Sequence, residues 1–174
     1  MQLNIASFNV KGFKPRNFDF LKFLSNKMDI ILFQETWLYE REKHVMEKVL
    51  LRHTVFHISS MNQANIDKIG RPYGGCAVAI NRSINASINK INTICSRLCA
   101  VTVENREIKL LIFSVYMPVN DGTMVSFREF GDVLSEVSSI INIYNIHQII
   151  FAGDFNVDFN LNSINMNVGF IYKK

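Results

Sequence analysis

Gln148-Ile149-Ile150-Phe151-Ala152-Gly153-Asp154-Phe155-Asn156 reads as a core strand that ends in a chemical site. Ile149 to Ala152 is an apolar run too short for a helix, so it is read as a buried strand. Gly153 then frees the backbone for a sharp turn. Asp154 and Asn156 follow, two residues apart. If the chain stays extended there, both side chains leave the same face. The end of a core strand is where open α/β sheets carry their chemistry. The plainer alternative is an Asx turn that caps the strand.

The rest of the chain suits such a strand. Its 174 residues fit one domain, large enough to bury roughly 70% of the unfolded surface. With 48% hydrophobic and 20% charged residues, the composition is that of a globular protein, not a disordered one. No apolar run approaches the ~20 residues that span a bilayer. Met1-Gln2-Leu3-Asn4 lacks the basic start and apolar stretch of a secretion signal, so an intracellular site, nucleus or cytoplasm, is expected. Cys76, Cys95 and Cys99 are odd in number and lack CxxC spacing. Neither a disulfide framework nor a zinc site is expected, and a reducing compartment fits better. The net charge of +4 is compatible with a polyanionic partner but does not establish one. There is no dense Lys/Arg block, and Lys173-Lys174 reads as solvated tail.

Taken in order, Leu3–Val10 reads as a strand closed by Lys11-Gly12. Pro15 stands where a helix can begin, and Phe18, Leu21, Phe23 and Leu24 recur near helical spacing. Asp29–Phe33 is a second apolar strand, ending in Gln34-Glu35-Thr36-Trp37. A helix over Glu40–Leu51 turns Val45, Met46, Val49 and Leu50 inward. Strands follow over Thr54–Ser59, Cys76–Ile80 and Ile84–Ile91, the first two separated by a polar connection. Leu98–Val103 and Ile108–Val115 flank a hairpin turn, and Tyr116-Met117-Pro118 closes the second of them. The longest helix, Ser126–Tyr144, carries a stripe of Phe127, Phe130, Leu134, Val137 and Ile141. His147 connects it to the strand quoted first. The order implies a mixed α/β layered domain with helices outside sheets.

Four strand ends carry polar residues: Asn9, Gln34-Glu35, Tyr116, and Asp154 with Asn156. One such residue per strand is ordinary capping, whereas four suggest convergence on one pocket. Phosphodiester hydrolysis needs this set. A hard cation such as Mg²⁺ prefers oxygen ligands, often one or two carboxylates plus water and substrate oxygens, and Glu35 suits that role. Asp154 beside Asn156 suits the orientation and deprotonation of a water. Tyr116 offers a hydroxyl to a non-bridging phosphate oxygen. Asn9 could hold Glu35 or a water on the metal. Each also has a plain structural reading: Glu35 and Asn9 as element caps, Tyr116 as a half-buried strand aromatic.

Five motifs stand in one order: Ser7-Phe8-Asn9-Val10, Phe33-Gln34-Glu35-Thr36-Trp37, Gly74-Gly75-Cys76-Ala77-Val78, Ser114-Val115-Tyr116-Met117-Pro118 and Gly153-Asp154-Phe155-Asn156. Together they resemble the endonuclease/exonuclease/phosphatase superfamily, and most of all the apurinic-endonuclease-like domain of LINE-type (non-LTR) retrotransposons. The resemblance covers residues 1–158. It implies a DNase I-like two-sheet α/β sandwich with its site at one edge of both sheets. Glu35 is then a metal ligand with Asn9 beside it. Tyr116 approaches the scissile phosphate, Asp154 activates water, and Asn156 positions the water or phosphate. The implied cofactor is Mg²⁺, with Mn²⁺ as the alternative. The implied substrate is DNA, nicked to leave a 3′ hydroxyl, and a reverse transcriptase module is the implied companion.

The family pattern continues with a further lobe, supplying a second aspartate and a near-terminal Ser-Asp-His. Nothing here matches that continuation, since His44, His53, His57 and His147 all precede Asp154. The expectation is therefore a fold incomplete at the C-terminus, with residues 159–174 as a divergent Asn-rich tail. One sheet edge is left bare and activity is weak or absent. Two other readings are a sphingomyelinase-like or inositol-phosphatase-like phosphoesterase and a non-catalytic protein that at most binds nucleic acid. Oligomeric state is not legible.

Overall fold

Strand β2 (Ile30–Gln34) is buried along its whole length, and that burial dictates the architecture. A strand buried on both faces needs a layer on each side. Ile31 and Phe33 pack against helix side chains, while Ile30 and Leu32 pack against a second sheet. The structure is a computed structural model that describes residues 2–61 and 72–157.

One sheet has the order β1-β2-β4-β3, built from β1 (Ile5–Asn9), β2, β4 (Cys76–Asn81) and β3 (His53–Ile58). The other has the order β5-β6-β7-β8: β5 (Ser87–Ile91), β6 (Leu98–Glu104), β7 (Lys109–Tyr116) and β8 (Gln148–Asp154). Helices α1 (Phe18–Ser25) and α2 (Lys43–Val49) cover the first sheet, and α3 (Met124–Tyr144) covers the second. The layers are helix, sheet, sheet, helix. This is the two-sheet α/β sandwich that the family resemblance implied.

Two parallel pairings position the site. β1 runs parallel to β2 with Asn9 opposite Gln34. β7 runs parallel to β8 with Tyr116 opposite Asp154. Parallel strands share their C-terminal ends, so all four polar strand ends arrive at one rim. Beneath them, buried Gln34 donates from Nε2 to Ser114 Oγ at 3.0 Å, and Ser114 donates to the Phe33 carbonyl at 3.0 Å. This polar bridge ties the two sheets together directly under the rim.

Several expectations shift. The strand expected over Ile84–Ile91 is only Ser87–Ile91. Ile84 belongs to the preceding turn, which Asn81 closes through its Oδ1 and carbonyl. Phe23 is 60% exposed, while Leu21 is fully buried. On α3, Phe127 is 69% exposed and Leu134 38% exposed, whereas Phe130, Val137 and Ile141 of the expected stripe pack on the core, joined by Val133 and Ile140. This helix has apolar residues on adjoining rows, and the shape of the sheet selects between them. α3 starts at Thr123, whose hydroxyl accepts from the Ser126 N–H, and ends at left-handed Asn145.

Among the described residues, β8 pairs only with β7, so its outer edge is unpartnered there. The tail expected over 159–174 lies outside the described residues, as does most of the polar connection before Pro72. No helix among the described residues is long and apolar enough to cross a membrane. All three cysteines are free, and burial raises their thiol pKa values, pushing Cys99 up to about 12.

Candidate active site

The side-chain amide of Asn9, at the end of β1, is the centre of the rim. Its Nδ2 donates to Glu35 Oε1 at 2.7 Å and to Asp154 Oδ2 at 2.6 Å. One amide thus joins two carboxylates 119 positions apart in sequence and carried by different sheets. Its Oδ1 accepts from the Lys11 N–H at 3.1 Å, which fixes the orientation of the group.

Glu35 stands in a backbone conformation that its residue type rarely adopts. Its φ is 53°, and that of Trp37 is 55°. Left-handed residues other than glycine persist where surroundings hold them, and they cluster at functional sites. Here the surroundings grip the backbone from both sides. Gly12 and Phe13 donate to the carbonyls of Glu35 and Thr36, and Thr36 and Trp37 donate to Gly75 and Gly74. Between the two strained residues, Thr36 Oγ1 bonds His57 Nε2 at 2.9 Å with both side chains buried. His57 Nδ1 lies 3.5 Å from Glu40 Oε2, a long contact. The result is a rigid double kink that displays Glu35. Its carboxylate also accepts from Trp37 Nε1 at 3.2 Å, and its charge faces the Tyr116 phenol.

Asp154 ends β8. Its Oδ1 accepts from the Asn156 N–H at 3.1 Å, which is an Asx turn. The two readings of this stretch are therefore compatible: the turn is made with one oxygen and the rim is faced with the other. Asn156 does not share a face with Asp154 through an extended chain. Its φ is 49°, and its Nδ2 donates to the Met117 carbonyl at 2.7 Å. That bond ties the end of β8 to the segment after β7.

Tyr116 ends β7 with its phenol pKa raised by burial and by the charges of Glu35 and Asp154. The Arg97 guanidinium sits 5.6 Å from its ring centroid and pairs with Glu129 at 3.1 Å. Because the folded-state pKa lies above the ordinary value, the folded protein favours the neutral phenol. Stability tied to that form is complete below about pH 10 and declines as pH rises through the raised value. A spectrophotometric tyrosine titration is expected to show Tyr116 ionising late. In Glu35→Gln its midpoint should fall; an unchanged midpoint would separate Tyr116 from Glu35.

A cleft of about 760 Å³ opens on the Glu35, Tyr116 and Arg97 side, and one of about 610 Å³ on the Asn9, Asp154 and Asn156 side. The structure thus brings together Asn9, Glu35, Tyr116 and Asp154, with Asn156 bracing the last. Gln34, expected at the rim, turns into the sandwich. Sequence reading missed Trp37 as a donor, Arg97 beside Tyr116, and the Thr36–His57 peg. Only Trp37 carried a signal, its place two residues after Glu35. No group of three or more His, Cys, Asp or Glu that could hold a metal occurs among the described residues. Glu35 and Asp154 offer carboxylate oxygens, while Asn9 faces them with its amide nitrogen and orients them rather than adding a ligand oxygen. That chemistry fits Mg²⁺, which completes its shell with water and substrate oxygens.

No family model and no curated protein matches the sequence. Solved structures do. The endonuclease domain of TRAS1, a telomere-specific non-LTR retrotransposon, superposes with a TM-score of 0.62 at 15% identity, over 90% of this chain and 60% of that one. TDP2 from C. elegans gives 0.58 at 16% identity, over 90% and 48%. The 3'-5' exonuclease NExo from Neisseria meningitidis gives 0.60 at 17% identity, over 89% and 58%. The chain therefore has the DNase I-like sandwich fold. It spans 48% to 60% of the length of these three structures.

Proposed function

We propose that residues 1–158 form a metal-dependent phosphodiesterase unit of the nuclease kind, nicking DNA. The observation that carries this reading is the Asn9 amide joining Glu35 and Asp154 at 2.7 and 2.6 Å. The solved structures superposed include an endonuclease domain and an exonuclease, which supports the substrate class.

Glu35, with Asn9 beside it, would hold a Mg²⁺ or Mn²⁺ ion, which when bound neutralises phosphate charge. Asp154 accepts the proton of an attacking water, with Oδ2 held by Asn9 and Oδ1 by the Asn156 N–H. Asn156 keeps its own Oδ1 to orient that water. Tyr116, held neutral, donates to a non-bridging phosphate oxygen. The water oxygen bonds to phosphorus, the bond to the 3′ oxygen breaks, and that oxygen takes a proton from solvent, leaving a 3′ hydroxyl and a 5′ phosphate.

One observation favours a second reading, in which this chain hydrolyses feebly and mainly binds nucleic acid. No histidine is among the residues lining either cleft, and His57 is buried against Thr36. Calorimetric titration of Mg²⁺, with DNA binding measured at two salt concentrations, tests both. Metal binding lost in Glu35→Gln supports the catalytic site. Salt-sensitive DNA binding with no metal dependence supports the binder.

A further inference from the structure

We propose that Trp37 is a positioning residue, whose indole N–H sets the carboxylate of Glu35 for a divalent cation; the inference rests on the metal reading above. Both Glu35 oxygens are engaged: Oε1 by Asn9 at 2.7 Å and Oε2 by Trp37 Nε1 at 3.2 Å. Donors at both ends fix the plane of a carboxylate, which a single donor leaves free to rotate. Groups that orient a ligand in this way are part of the design of a metal site.

Indole and ligand are only two residues apart, and they meet because both backbones are left-handed. A regular strand would also put residues 35 and 37 on one face, but it would not fold the indole nitrogen back onto the carboxylate. The ring is then clamped from the other side. A Cβ on Gly12, whose φ is 94°, would lie 2.5 Å from the ring, so only glycine allows the approach. The Lys14 ammonium lies 4.8 Å from the ring centroid. A cation over the indole face draws electron density from the ring and sharpens the N–H as a donor. Gly12, Trp37 and Lys14 thus form one stack, and its polar edge ends at Glu35.

Trp37 is the sole tryptophan, so its indole N–H gives one unambiguous proton resonance. In the metal-free protein that resonance is expected downfield and slow to exchange. Glu35→Ala should move it upfield and speed its exchange. An indole resonance indifferent to Glu35→Ala overturns the inference without touching the metal reading. The second measurement is Mn²⁺ affinity by electron paramagnetic resonance. Trp37→Phe keeps the ring and removes the donor; it is expected to weaken Mn²⁺ about tenfold with little change in melting temperature. Trp37→His, which restores a ring N–H, should recover part of that loss. Equal Mn²⁺ affinity in the parent and Trp37→Phe reduces Trp37 to packing and overturns the proposal. No Mn²⁺ binding in the parent sinks the metal reading and this inference together.

Discussion

Gly153→Ala is expected to lower the melting temperature by about 10 °C or more, through a loss of about 3–5 kcal/mol. Gly153 sits opposite Val115 in the β7–β8 ladder. A Cβ at this position would stand 1.9 Å from the Val115 carbonyl oxygen and 2.8 Å from its backbone nitrogen and carbon. The obstacle is main chain in the centre of a sheet, so no side chain can swing aside. Relief requires β8 to lift away from β7. That movement would pull Asp154 from Asn9 and break the bond from the Met117 N–H to the Asp154 carbonyl, 2.8 Å long. With a total stability of about 5–15 kcal/mol, a loss of this size is a large share. Gly131→Ala is the control: nothing lies within 4 Å of its added Cβ on helix α3. There the change should stabilise by roughly 0.5–1 kcal/mol. Thermal denaturation by circular dichroism reads both, and an unmoved midpoint in Gly153→Ala would contradict the packing of β8.

The second large effect is on catalysis. Mg²⁺-dependent nicking of supercoiled plasmid by this chain is expected to be weak, and in Asp154→Asn to fall by a further ~10² to 10⁴. The substitution keeps size and shape but leaves no carboxylate to take a proton from water. It also replaces a charged acceptor for the Asn9 amide, bonded at 2.6 Å, with a neutral one. Binding of DNA should survive, since Asp154 contributes negative charge and not attraction to phosphate. Robust nicking that Asp154→Ala abolishes would refute the expected weakness while supporting the site. Robust nicking indifferent to Asp154→Asn would remove Asp154 from the chemistry.

Much of the layered order follows from local pattern. β2 is a continuous apolar run because both its faces are covered, and a run of that kind is readable without coordinates. The hairpin of β6 and β7 was legible for the same reason, whereas β8, read as buried, is only half-buried at the edge of its sheet among the described residues. The α3 stripe was read correctly at Phe130, Val137 and Ile141 and misread at Phe127 and Leu134. Phe127 and Ser126 are neighbours in sequence, and only the contour of the β6–β8 surface decides which faces inward. Asn156 was misread because a two-residue spacing means one face only while the chain is extended, and its φ of 49° breaks that condition.

From residue types and their order alone came a layered α/β domain, the polar strand ends and the oxygen chemistry of Asn9, Glu35, Tyr116 and Asp154, while the two-sheet sandwich came from the family resemblance. The former depend on periodicity and donor type, which are local properties. The tertiary structure alone decided that one Asn9 amide spans both carboxylates, that Thr36 is pegged by His57, that Arg97 lies beside Tyr116, and that Trp37 turns its nitrogen to Glu35. The Trp37 and Thr36 contacts rest on left-handed backbone and the Asn9 bridge on the approach of two sheets, whereas Arg97 meets Tyr116 through the β6–β7 register, where the Tyr116 N–H bonds the Arg97 carbonyl. Left-handed backbone and sheet approach have no signature in sequence spacing, because both are set by contacts between segments remote along the chain.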